Sequence, residues 1–230
     1  MGLFDQLRRP PRPVVNRVDL PNRDLAATIA RDPMARGQIR GALLQAPRYR
    51  DAVQATRHDW VAVGWELDGL EGIRALAAVG PDPKGRLVAH RGEGPGALTL
   101  LAELLHSGRA LIAPALKRDE ETLLASLPAS GRALWRAALW VDPTEAVDLL
   151  LAPPIPAGPG LARAAGEPGG LALAARELTR QDPRSRALAE LISASKRREP
   201  MARARLTALA WRDVLAPRLA PFAGALDERG

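Results

Sequence analysis

Three histidines, His58, His90 and His106, are the chain's entire supply of imidazole. None lies three or four residues from another, so no helical turn gathers two of them as a zinc site would require. His58 adjoins Asp59, but adjacent residues diverge on a helix. His106 lies near a helix end, where a protonated imidazole suits the dipole. Carboxylates pair at Glu66 with Asp68 and cluster at Asp119, Glu120 and Glu121. The second group opens a predicted helix, and its charge suits that end. No GxGxxG, GxxxxGK[ST] or GxSxG motif occurs. The segment Arg91-Gly-Glu-Gly-Pro-Gly96 is glycine-rich and precedes a helix. A phosphate could sit on that helix start, but Pro95 removes a donor and turn chemistry accounts for the glycines. Residue types and spacing therefore assign no catalytic, cofactor-binding or metal-ligating residue, and no cofactor is expected.

Arginine is the remaining chemistry. The formal net charge is +7, and lysine occurs only at Lys84, Lys117 and Lys196. A GC-rich coding bias accounts for arginine over lysine, though not for the excess over acids. Residues 1–50 sum to +6, residues 51–80 to −3 and residues 171–230 to +5. Clustered basic surfaces attract polyanions. The expected polyanion or partner contacts are Arg8, Arg9, Arg12 and Arg17 near the start, and Lys196, Arg197, Arg198, Arg203 and Arg205 near the end.

The elements that must position these residues read as mostly helical. Asp32-Pro33, Asp142-Pro143 and Asp182-Pro183 each place a carboxylate acceptor before a proline at the first helical position, where the missing N–H costs nothing. The spacing predicts helices over 23–31, 33–45, from Pro47, 96–107 with Gly108 as stop, 120–127 capped by Asp119, 131–141 capped by Ser130, and 143–152. Between Trp60 and Arg91, Trp60, Val63, Leu67, Leu70 and Ile73 follow helical spacing, while Gly64, Gly69 and Gly72 weaken a helix. The turn Gly80-Pro-Asp-Pro-Lys-Gly85 could instead close a short β-hairpin around residues 76–90.

The expected fold is mainly α: a multi-helix bundle with that hairpin as an option, plus a C-terminal helical hairpin over 171–181, 183–198 and 200–216. The expected organisation is a basic proline-rich arm over 1–22, a helical domain over 23–152, a Pro/Gly linker over 153–170 and a C-terminal helical segment over 171–230. Only eight residues are aromatic, so leucine and alanine fill the core and the five tryptophans serve it. Absence of cysteine excludes disulfides and thiolate sites and suits a reducing, cytoplasmic setting. No apolar run is long enough for a membrane span, and Gln6 breaks the myristoylation pattern begun by Gly2. These features together predict a non-enzymatic interaction protein (adaptor, scaffold or assembly subunit) binding another protein or its own copies. Nucleic-acid binding through phosphate contacts is the alternative, and an enzyme assembled from distant residues is the third reading.

Overall fold

A computed structural model describes residues 31–69, 72–146, 186–194 and 199–227. Its centre is a five-stranded mixed sheet in the order β3-β2-β1-β4-β5. Strands β1 (Trp60–Asp68), β2 (Gly72–Pro81) and β3 (Leu87–Glu93) form an antiparallel meander. Strands β4 (Ala110–Ile112) and β5 (Trp140–Val141) extend the sheet parallel to β1. Helices α1 (Pro33–Gln45) and α2 (Pro47–Ala55) precede the sheet. Helix α3 (Pro95–His106) connects β3 to β4, and α4 (Leu116–Ala125) and α5 (Ala129–Ala137) connect β4 to β5. Further along the chain come α6 (Arg186–Ala194), α7 (Pro200–Ala210), a π-helical turn at Trp211–Leu215 and α8 (Ala216–Ala223). The expectation of a mainly helical bundle is thereby corrected: the protein is α/β.

The correction has a physical cause. A strand buried on both faces reads as a nearly continuous apolar run rather than an alternation. In β1, residues 61–65 are all buried, so almost any periodicity finds matches there. Val61, Val63 and Trp65 face α3, α4 and α5 in one core, while Ala62 packs with Ala77, Val79, Ala204 and Ala208 beneath α7. Strand β2 is alanine-rich, a composition that favours helix in isolation. Here the small side chains let helices close on both faces of the sheet. In β4 the alternation is plain: Ala110 and Ile112 join the core built by α1, α2, α6 and α8, and Leu111 joins the opposite one. The layers are therefore helix, sheet, helix.

Local signals fared better than periodicity. Asp32 Oδ1 accepts from the Met34 N–H at 2.9 Å, and Asp142 Oδ1 accepts from the Thr144 N–H at 2.9 Å, as N-caps should. Asp182-Pro183 lies outside the described residues. Gly108 follows α3 with φ of +66°, the left-handed stop expected there. A hairpin does close between β2 and β3, with Asp82 accepting from the Lys84 and Arg86 N–H groups at the turn. It is longer than expected, because both strands are held within the sheet. Asp119 lies inside the first turn of α4 rather than capping it, and α5 begins after Pro128, ahead of Ser130. The end of the predicted 131–141 helix is strand β5.

Candidate functional site

A sheet whose ends are not closed presents two edges, and the two here differ. Strand β5 is two residues long, with Val141 buried. Strand β3 is seven residues long and pairs only with β2 among the described residues. Its residues are exposed except for the half-buried Leu87 and Gly92. The ladder fixes which backbone groups point outward. The Gly94 N–H donates to the Arg74 carbonyl at 2.8 Å, and Glu93 stands opposite Ala75. In an antiparallel pair, that bond makes Glu93–Ala75 a non-hydrogen-bonded pair. Residues 88, 90, 92 and 94 then face β2, while Ala89, Arg91 and Glu93 direct N–H and C=O away from the sheet. Strand β3 contains no proline or lysine, two of the devices that commonly blunt an edge.

The same odd-numbered residues place their side chains on the face that carries α7. There Arg91 bonds Glu93 at 2.7 Å and Glu199 at 2.9 Å. Glu199 in turn caps α7, accepting from the Ala202 N–H at 3.1 Å. The register shifts between Glu66 and Leu67 of β1, which leaves Arg74 as the bulged residue of β2; its guanidinium reaches Glu66 at 3.3 Å. Glu66, Asp68, Arg74, Arg91 and Glu93 thus line an open cleft of about 440 Å³ at this end of the meander. Every one of these side chains is substantially solvated, so the ion pairs set charge pattern more than stability.

On the opposite face, α3 touches β3 closely at one point. A Cβ on Gly92 would collide with the backbone of Gly96. From that contact the helix diverges, leaving a groove of about 380 Å³ with Val88, Leu100 and Leu104 beside His90, Glu103 and Arg109. The helix start, where sequence weighed a phosphate seat and set it aside for a plain loop, packs on Gly92, and Gly94 gives its N–H to Arg74. A third depression, about 610 Å³, lies by the ends of β4 and β5 and includes Arg48, Asp51, Lys117 and Asp142. Burial pushes the Asp142 carboxyl up despite its bonds from Thr144 and Leu116.

Among the described residues no cluster of three His, Asp or Glu side chains has metal-binding geometry. His58 in the bend before β1, His90 on β3 and His106 at the end of α3 are all exposed and apart in sequence. Asp119 is structural. Burial alone would raise its pKa, but the Arg118 guanidinium and the Trp65 indole N–H, 2.8 Å away, hold the carboxyl below its ordinary value. Trp65 and Trp135 are buried, and with Trp140 they form one aromatic group, with ring centroids 6.4 and 4.2 Å from it.

Arg8, Arg9, Arg12, Arg17, Lys196, Arg197 and Arg198 lie outside the described residues. Of the remaining expected contacts, Arg205 is exposed. Arg203 is buried on the underside of α7, where its Nη1 donates to the Trp65 carbonyl at 3.0 Å. Sequence reasoning did not single out Arg91 and Glu93 as site residues, because the loop reading of 91–96 concealed a strand end. The alternation of Val88, His90, Gly92 against Ala89, Arg91, Glu93 was the available signal. The chain matches no family model, no curated protein and no solved structure.

Proposed function

We infer that the chain is a non-enzymatic interaction protein, an adaptor, scaffold or assembly subunit, that receives its partner along the edge of β3. The observation that carries this reading is the seven-residue strand that, among the described residues, is paired on one side only, with outward backbone groups at Ala89, Arg91 and Glu93. Strand addition at such an edge draws affinity from main-chain hydrogen bonds and specificity from flanking pockets. The charged cleft and the apolar groove flank β3 on its two faces and supply such pockets.

The test is Ala89→Pro. Proline removes an outward N–H and leaves the bonds toward β2 intact, a position where an edge strand tolerates it. Wild-type chain should retain its partner in side-by-side capture, and Ala89→Pro should lose it while keeping the same far-UV circular dichroism. Equal recovery would move docking away from β3. Removal of residues 1–22 in parallel assigns any residual capture to the basic arm. The nucleic-acid reading rests on the charge gathered at the two ends of the sequence. It requires a gel shift that weakens steeply with salt, and no shift at low salt removes it.

A further inference from the structure

The charge pattern of β3 can be set against the edge of β3 in a second copy. Resting on the reading of β3 as a docking edge, we propose that the Arg91–Glu93 end of β3 pairs antiparallel with the same segment of a second copy about a twofold axis through Gly92. Register limits the pairing. Because Ala89, Arg91 and Glu93 point their backbone groups outward, a self-pair must set odd residues opposite odd residues. An axis through Arg91 sets the two Arg91 side chains directly opposite each other, and like charges there are destabilising. An axis through His90 sets Arg91 opposite Ala89 and Glu93 opposite Leu87 of the second copy, with no opposite charges directly paired. An axis through Gly92 sets Arg91 opposite Glu93 of the second copy and Glu93 opposite its Arg91. The segment Arg91-Gly92-Glu93 is thus self-complementary when read antiparallel.

The surroundings agree with that register. The Glu93 side chain is 67% exposed and that of Arg91 46%, so both are available at the edge. Residue 92 is a glycine, so it brings no side chain to the axis. Arg91 is steadied from within its own chain by Glu199 at 2.9 Å, leaving Glu93 to exchange its partner for the second copy's arginine. On the α7 face the two charged clefts would adjoin across the axis. A C2 contact of this kind is isologous and closes on itself, so it yields a dimer and not a fibre.

The experiment is sedimentation equilibrium on the full chain over a concentration series, with three variants. Wild type is expected to be a reversible dimer. Arg91→Glu sets Glu against Glu, and Glu93→Arg sets Arg against Arg; each should weaken the dimer about tenfold or more, from the cross-strand terms reversed. An equimolar mixture of the two restores both attractive pairs and should form a heterodimer of at least wild-type affinity, a rescue that a misfolded variant could not give. A wild-type chain that remains monomeric at about 1 mM overturns the proposal, as does a dimer indifferent to both reversals. Ala89→Pro separates the two readings. A dimer lost in Ala89→Pro but indifferent to the charge reversals keeps β3 as the docking edge and rejects the Gly92 register. In the Gly92 register Ala89 faces Pro95 of the second copy, so a dimer that survives Ala89→Pro but responds to both reversals keeps that register, and a dimer indifferent to all three variants rejects both readings.

Discussion

Gly64 shows how far apart the causes of one residue can lie. It sits in mid-strand, where glycine ordinarily weakens a strand, and nothing nearby in sequence calls for it. The reason is α7: a Cβ at position 64 would run into the Pro200 carbonyl and crowd the Ala204 N–H. Gly64→Ala is therefore expected to cost about 1–3 kcal/mol through overpacking, measured by urea unfolding. Gly37→Ala is the opposite case, since a Cβ there meets nothing within 4 Å on α1; it should stabilise by up to about 1 kcal/mol. The capping aspartates were legible because a cap is local: Asp32 and Asp142 act on residues two positions ahead. Gly64 was not, and a helix-breaking reading of it was the natural error.

Two carboxylates should also respond to pH with opposite sign. The folded-state pKa of Asp119 is lowered from 3.8, so its contribution is present above that value and is lost as pH falls through the folded value. Asp142 is raised from 3.8 by burial, so its contribution is present below that value and is lost as pH rises through the folded value. Urea midpoints of Asp119→Asn and Asp142→Asn against wild type, from neutral pH to about pH 3, should show this. The deficit of Asp119→Asn shrinks toward acid, and Asp142→Asn gains on wild type toward neutral pH. Parallel curves would remove the assigned causes.

At the scale of elements, helix boundaries were readable and strands were not. Proline and aspartate mark a boundary by their own chemistry, wherever the helix is later placed. Strands β1 and β2 derive their conformation from being covered on both faces, and that cover comes from helices distant in sequence. Strands β4 and β5 are too short, at three and two residues, to carry a period. The candidate site suffered most, because an edge exists only once a sheet exists. One junction ties edge and helix together: Glu199 caps α7 and holds Arg91 of β3. Glu199→Ala should cost about 1 kcal/mol, the ordinary worth of an N-cap. Arg91→Ala should cost less than about 0.5 kcal/mol, because its ion pairs are exposed. Equal losses in a thermal or urea series would mean that the bridge, and not the cap, is the stabilising contact.

Over the whole molecule, the sequence suggests a division at the Pro/Gly stretch, while the packing makes the two sides mutually dependent. Helix α7 lies against β1 and β2 and covers Ala62, Ala77 and Val79 with Ala204 and Ala208. Trp211, Val214, Leu219 and Phe222 share one core with Ile39 and Leu43 of α1 and Val53 of α2. Without them, the part of the sheet that α7 covers would stand open to water, along with much of the inner faces of α1 and α2, and each fully exposed large apolar side chain costs about 1.5–3 kcal/mol. Domains of this size are stable by only about 5–15 kcal/mol in total. A fragment spanning residues 23–152 is accordingly expected to lack a cooperative urea transition and to bind hydrophobic dye. The full chain should give coincident transitions by tryptophan fluorescence and circular dichroism. A fragment that unfolds cooperatively on its own would show that the sheet does not need α7, and the dependence argued from the shared core would be wrong.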